Sequence, residues 1–268
     1  MKVIAIINMK GGCGKTTTAV NMTHALGKRG NRVLLVDNDK QGNASRAYAV
    51  HSYELPSIAD ILTGKRTTIE TVRTTEYENV DVIPANMHLL TANLSVIMDQ
   101  DKEQQTILRN EFEKISGMYD YCIIDCPPDI NISVINALVA ADEVIIPVKI
   151  DGYALDGMEE LEQQIENAKE LNPKIKFRGC LVTMFYRTTQ KDADGNIVPG
   201  VNEQGKEWLK SQKYPVFNTH IRRTPKKVDE NTFTDVPLLE YSPFCGASRD
   251  YIKFVEEYLG NENSGGVD

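Results

Sequence analysis

The chain has 268 residues, 41% of them hydrophobic, which suffices for one large α/β core near the upper size of a single domain. Its formal charge of -8 repels a polyanion over most of the surface, so any nucleic-acid contact has to come from a local basic patch. Five cysteines without paired spacing argue against a disulfide framework and for a reducing cytoplasm, and the apolar run Val3 to Ile7 is too short to span a bilayer.

Short β-branched runs bounded by turn residues recur at 2–8, 32–37, 80–84, 120–125, 143–148, 178–184 and 216–221, with helical stretches between them. This alternation predicts an α/β fold, a doubly wound, mostly parallel twisted sheet with helices on both faces. One domain is expected over 1–259. A helix is expected at 154–171, where Leu155, Met158, Leu161, Ile165 and Ala168 form one apolar stripe ending before Asn172-Pro173. Turn residues crowd 187–203, among them Asp194-Gly195-Asn196 and Pro199-Gly200, and predict a surface loop or hairpin. At 247–259 a last helix carries Tyr251, Ile252, Phe254, Val255 and Tyr258 as core residues, and the polar stretch from Gly260 to Asp268 is expected to fray.

Chemistry enters directly after the first run, at Lys10-Gly11-Gly12-Cys13-Gly14-Lys15-Thr16-Thr17, followed by the apolar spacing of a helix from Ala19 to Leu26. Strand, glycine loop and helix in that order make a phosphate loop. Gly11, Gly12 and Gly14 can take backbone angles closed to other residues, so that successive N–H groups point at phosphate oxygens at the positive end of the helix dipole. Lys15 adds a point charge at the β and γ phosphates, and the Thr16 hydroxyl suits Mg²⁺.

Two further strands end in carboxylates. The second stops at Asp37-Asn38-Asp39-Lys40-Gln41-Gly42-Asn43, and the fourth at Asp125-Cys126-Pro127-Pro128. In a parallel sheet both lie at the edge where ligands bind.

The loop departs from the ordinary G-x-x-x-x-G-K-[ST], with Met9 in place of the first glycine and a second lysine at Lys10. K-G-G-x-G-K-[ST] is the deviant Walker A motif, and the chain resembles the P-loop NTPases of the ParA/MinD group. The likeness extends over roughly 2–259, through Asn131 to Leu138, Ala141 to Val148 and Pro237 to Tyr241, which look like ParA/Soj proteins. It implies an ATPase using ATP and Mg²⁺ that works as a homodimer in its ATP state. Lys10 then crosses to the partner's phosphates, Asp39 orients or deprotonates the attacking water, Asp37 supports the metal's water shell and Asp125 holds a water on Mg²⁺. Lys40 stands where the family has proline.

The resemblance puts the base near Met184, Ile221 and Arg222. It also implies DNA binding without sequence preference through Arg187, Arg222, Arg223, Lys226 and Lys227, and a ParB-like protein that stimulates hydrolysis. A cytoplasmic, nucleoid-associated location follows. With no helix-turn-helix segment ahead of the first strand, operator-specific repression is not expected. The rival reading is a MinD-like membrane-cycling ATPase, which needs a basic amphipathic C-terminal helix; the residues after 247 read as core, so no stable membrane anchor is expected. A shared iron–sulfur cluster fits poorly, because Cys122 and Cys180 sit inside apolar strands and only Cys126 and Cys245 remain as ligands.

Overall fold

The computed structural model describes residues 1–101, 103–151, 156–191, 196–212 and 214–264. The first strand, β1 (Lys2–Ile6), sends Val3 and Ala5 to one face of the sheet and Ile4 and Ile6 to the other, all of them buried. Helix α1 (Lys15–Gly27) follows the glycine loop, and β2 (Val33–Asp37) is buried along its whole length. Three short helices come next, α2 (Asn43–Arg46), α3 (Ile58–Leu62) and α4 (Thr68–Thr71). The last is fixed by a capping box in which Thr67 accepts from the Glu70 amide and Glu70 accepts from the Thr67 amide.

Strands β3 (Arg73–Thr74) and β4 (Val80–Ile83) lead to α5 (His88–Met98) and α6 (Ile107–Lys114). Then β5 (Tyr121–Asp125), α7 (Ile132–Ala140), β6 (Glu143–Lys149), α8 (Asp156–Ala168) and β7 (Lys176–Thr183) repeat the strand–helix alternation. A hairpin, β8 (Thr189–Lys191) with β9 (Ile197–Pro199), precedes α9 (Val201–Ser211), α10 (Pro225–Asn231), α11 (Leu238–Tyr241) and α12 (Gly246–Ser264).

The seven-stranded sheet has the order β3-β4-β2-β5-β1-β6-β7 and is parallel except for the edge strand β3. Period-2 alternation gives it two apolar faces, one covered by α1, α11 and α12, the other by α3 and α5 to α8. The doubly wound architecture expected from the alternation is therefore present. Parallel strands place the ends of β1, β2, β5 and β7 on one edge, and the three sequence motifs meet there.

Several details differ from the sequence expectation. Residues 216–221 form no strand: Val216 makes an isolated bridge with Cys180 of β7, and a second bridge joins Arg222, just after the run, to Phe185. The cause is Glu257, whose carboxylate takes the amides of Asn218 and Thr219 at 2.7 Å each and turns them away from the sheet. The 187–203 stretch is a hairpin that runs into a helix from Val201, while Asp194 and Gly195 of its expected turn lie outside the described residues. Helix α12 continues through Ser264, beyond the expected end at 259; 265–268 lie outside the described residues. Likewise α8 ends at Ala168, before the expected 171, and Leu155 lies outside the described residues.

Candidate nucleotide site

The glycine loop leaves β1 and is tied to its neighbours before α1 begins. Asn8 donates to the Pro147 carbonyl at 2.8 Å and accepts from the Lys10 amide at 2.9 Å, while the Thr183 hydroxyl at the end of β7 donates to the Cys13 carbonyl at 2.7 Å. Gly12 and Gly14 have φ of 69° and 88°, in the left-handed region that favours glycine. Gly11 does not, which corrects the expectation for that residue. Gly14 is the N-cap of α1 and brings no capping side chain, and the first turn carries no acidic residue. The first amides of α1 are thus left to an anionic ligand. Lys15 is buried and its ammonium donates to the Lys10 carbonyl at 2.8 Å, folded over the loop where phosphate would sit.

Asp37 and Asp125 end neighbouring strands in register and are both fully buried. Asp37 is held from three sides. The Ser45 amide and hydroxyl donate to Oδ2 at 2.8 and 2.6 Å, and the Asp39 amide donates to Oδ1 at 3.1 Å. Burial, opposed by these Ser45 and Asp39 contacts, raises its pKa to about 6. Asp125 has no such support. Among the described residues neither of its oxygens meets a hydrogen-bond donor. Burial and then the charge of Asp37 push its pKa well above the ordinary range, and the Thr16 hydroxyl beside it only partly opposes this.

An orphaned buried carboxylate next to a threonine hydroxyl and a phosphate loop fits a divalent cation. Among the described residues no three His, Cys, Asp or Glu side chains form a ready cage. That suits Mg²⁺, which takes one or two protein oxygens and completes its octahedron with water and phosphate.

Asp39 sits half-buried at the mouth, its carboxylate accepting from the Gln41 amide at 3.0 Å. Its loop turns at Gly42, with φ of 69° and no room for a side chain: a Cβ there would lie 2.5 Å from the His51 ring. Lys40, which stands where the resembled family has proline, reaches within 3.9 Å of Asp129 and so links this loop to the one after β5. The other signature residue, Lys10, forms an ion pair with Asp151, which Lys149 also approaches at 3.6 Å.

The residues expected near the base share one cavity. Met184, Ile221 and Arg222 line a cavity of about 200 Å³ together with Gly14 and Thr17 of the loop and Tyr251 of α12. The basic cluster, by contrast, divides. Arg222 makes a bidentate pair with buried Asp250, Nε to Oδ2 at 2.7 Å and Nη2 to Oδ1 at 2.6 Å, while Lys227 pairs with Glu230 at 2.9 Å. Arg187, Arg223 and Lys226 are exposed and make no ion pair among the described residues. The bridge at Phe185, whose carbonyl takes the Arg223 amide at 2.8 Å, brings the backbones carrying Arg187 and Arg223 together.

Sequence reasoning did not assign Ser45, Asp151, Thr183 or Asp250. Ser45 lies in the carboxylate loop and could have been suspected from its spacing; the other three become partners only through the fold. Cys126, one of the two cysteines kept for a cluster, is buried.

Such a loop, carrying two lysines and facing two strand-end aspartates, defines a P-loop nucleoside-triphosphate-binding protein of the deviant Walker A class. Residues 1–177 match the family model of an AAA domain. Over 262 residues, 97% of this chain and 99% of the relative, the sequence is 36% identical to the sporulation initiation inhibitor protein Soj of Bacillus subtilis. It is 33% identical over 267 residues to the chromosome partitioning protein ParA of Caulobacter vibrioides, covering 98% and 95% of the two chains. The fold matches cobyrinic acid a,c-diamide synthase of Mycobacterium smegmatis, solved with an ATP analog and magnesium, at a TM-score of 0.81 and 26% identity over 99% and 97% of the chains. It also matches the cell division ATPase MinD of Pyrococcus furiosus at a TM-score of 0.75 and 23% identity, over 97% and 98%. The chain belongs to the ParA/Soj family of P-loop ATPases.

Proposed function

We propose that this protein is an ATP-switched homodimer that binds DNA without sequence preference and drives partitioning of a chromosome, plasmid or integrated element. The observation that carries the reading is the different setting of the two loop lysines. Lys15 is folded over its own phosphate loop, whereas Lys10 lies at the mouth, 31% exposed, in an ion pair with Asp151. A charge in that position can exchange one anionic partner for the phosphates of a second subunit, as an arginine finger does, with a rate effect of about 10³ to 10⁵.

The first amides of α1 and Lys15 would hold the β and γ phosphates of ATP. Thr16 and Asp125 would hold Mg²⁺, and Asp37 and Asp39 would support its water shell. Mg²⁺ supplies electrostatic neutralisation of the phosphates. Asp39, in the loop that turns at Gly42, orients the attacking water or accepts its proton. Hydrolysis is slow until a ParB-like partner binds. The magnesium-bound and ATP-analog-bound relative at 26% identity supports the ligand assignment, and the names of the ParA and Soj relatives support the cellular role.

Arg187, Arg223 and Lys226 supply one cationic patch per subunit, and closure of the dimer aligns two of them into a DNA site that a monomer lacks. The protein is then cytoplasmic and associated with the nucleoid. The membrane-cycling alternative needs the apolar residues of the last helix at a lipid surface, yet Tyr251, Phe254, Val255 and Tyr258 are all committed to the core. No described helix is long and apolar enough to cross a membrane.

Gel shifts on unrelated DNA sequences test the proposal: retardation is expected with a slowly hydrolysed ATP analogue and not with ADP. Equal binding in the two states sinks it. Lys15→Gln should abolish nucleotide binding, and Asp39→Ala should keep the ATP-dependent shift but stop turnover.

A further inference from the structure

The loop that carries Asp39 is anchored on both sides of its tip. Before the tip, Asn38 is fully buried, its amide donating to the Asp125 carbonyl at 2.9 Å and its side chain to the Ser133 carbonyl at 3.1 Å. After it, Gly42 is closed in by the His51 ring, and the Ser45 hydroxyl that donates to Asp37 also accepts from the Ala85 amide at 2.9 Å. Asp39, Lys40 and Gln41 stand between these anchors. Asp39 bonds only inside the loop: its amide donates to Asp37, its carboxylate accepts from the Gln41 amide, and its carbonyl accepts from the Gly42 amide at 2.9 Å. Among the described residues, the ion pair of Lys40 with Asp129 is the one hydrogen bond or salt bridge that ties the tip to another segment.

Asp129 is itself held in place. Its carboxylate accepts from the Asn131 side chain at 3.3 Å, and Asn131 caps α7 by accepting from the Ser133 and Val134 amides at 3.0 and 3.1 Å. Through two side chains, Lys40 is thus connected to the helix that follows the Asp125 strand. A contact one residue from Asp39, spanning the two loops that frame the metal position, governs where the Asp39 carboxylate sits.

We infer that Lys40 and Asp129 are positioning residues for hydrolysis, their ion pair holding the tip and with it the Asp39 carboxylate in one place. The tip contact belongs to the empty chain. Its effect on turnover rests on the ATPase reading, so the two are measured separately. Lys40 is 32% and Asp129 50% exposed, so the pair is screened by salt and its effect is a matter of severalfold changes.

Amide hydrogen exchange on the full chain reads the tip without nucleotide. The Gln41 and Gly42 amides, which donate to Asp39, should exchange about two- to fivefold faster in Lys40→Gln and in Asp129→Asn at unchanged Tm, while Lys40→Arg behaves as the parent. Turnover should follow the same pattern. Either variant is expected to lower kcat about two- to fivefold at unchanged KM for ATP, and the double variant should be no worse than the poorer single one. The two substitutions change the charge near Asp39 in opposite senses, so an effect of charge alone would move kcat in opposite directions. A fall in both belongs to position.

Exchange at the parent rate in both variants overturns the inference, as do losses in kcat that add in the double variant. Parent-like kcat in both variants of a chain that hydrolyses ATP overturns it as well. If exchange quickens as expected while the parent itself turns over no ATP, the tip contact stands and the ATPase reading fails.

Discussion

Asp37 and Asp125 are register partners on adjacent parallel strands, equally buried, yet among the described residues one accepts three hydrogen bonds and the other meets no donor. The asymmetry assigns different work to two residues that look alike in sequence. Asp37 organises the Asp39 to Ser45 loop, with one lone pair of Oδ1 left for water, whereas burial disfavours the ionised form of Asp125 until a cation arrives. The apo protein thus holds an electrostatic penalty that ligand binding relieves.

Replacing that ionisable group should therefore stabilise the empty protein. Asp125→Asn, which cannot ionise, is expected to raise the Tm at neutral pH, by about 2–4 °C for each kcal/mol gained. The same variant should lose most of the Tm increase that Mg²⁺ with nucleotide gives the parent chain. Thermal melts with and without the ligands measure both signs. A variant less stable in the absence of ligand would mean that Asp125 has a structural partner.

Much of this site could be read from the sequence because its parts are local. A strand, a glycine loop and a helix within residues 2–27 announce their chemistry through spacing, and an apolar run ending in aspartate does the same for Asp125. What escaped depends on contacts between distant segments. Asp250 meets Arg222 only when α12 packs beside the 221–223 turn, and Asp151 meets Lys10 only because β6 lies next to β1. The 216–221 run failed as a strand for the same reason, since Glu257 on α12 competes for its amides. Propensity is a statement about a segment, whereas hydrogen-bond partners are set by the whole fold.

Gly42→Ala should be costly out of proportion to one methyl group. The position combines a left-handed φ with a Cβ that would lie 2.5 Å from the His51 ring and 2.8 Å from the Ala85 carbonyl. The backbone alone contributes about 1–2 kcal/mol, and the collision adds to it. Urea denaturation should show a loss above about 1 kcal/mol, and hydrolysis should fall because Asp39 is displaced. Unchanged stability would mean that the loop adopts another conformation in solution.

Acidification should destabilise the protein through His24. Its Nε2 lies 2.8 Å from Glu240, its Nδ1 meets no partner among the described residues, and burial lowers its pKa below the ordinary 6.5 despite the Glu240 carboxylate. The unfolded chain binds the proton more readily, so the contribution is full above about pH 6.5 and is lost as pH falls below it. The slope for one such group is at most about 1.4 kcal/mol per pH unit. His24→Gln keeps an N–H donor for Glu240 without titrating. Across pH 5 to 8 the Tm of the parent should fall more steeply on acidification than that of the variant, and parallel profiles would remove His24 as the cause.

Neighbouring arginines should give opposite phenotypes. Arg223, free of ion pairs among the described residues, is expected to act on DNA, so Arg223→Ala should weaken ATP-dependent binding on all sequences and make the salt dependence shallower by about 0.9 for each phosphate that is no longer neutralised. Arg187→Ala should behave in the same way, starting from a slope of about -3.6 if roughly four phosphates are neutralised. Arg222→Ala instead leaves buried Asp250 without its bidentate partner, at a cost of about 1–3 kcal/mol in stability, with the salt slope unchanged. Titrating each variant with DNA between 50 and 200 mM salt, beside a melting curve, separates a positioning arginine from a contacting one. A shallower slope for Arg222→Ala at an unchanged Tm would mean that the ion pair with Asp250 opens when DNA binds, and that the base pocket and the DNA surface share this side chain.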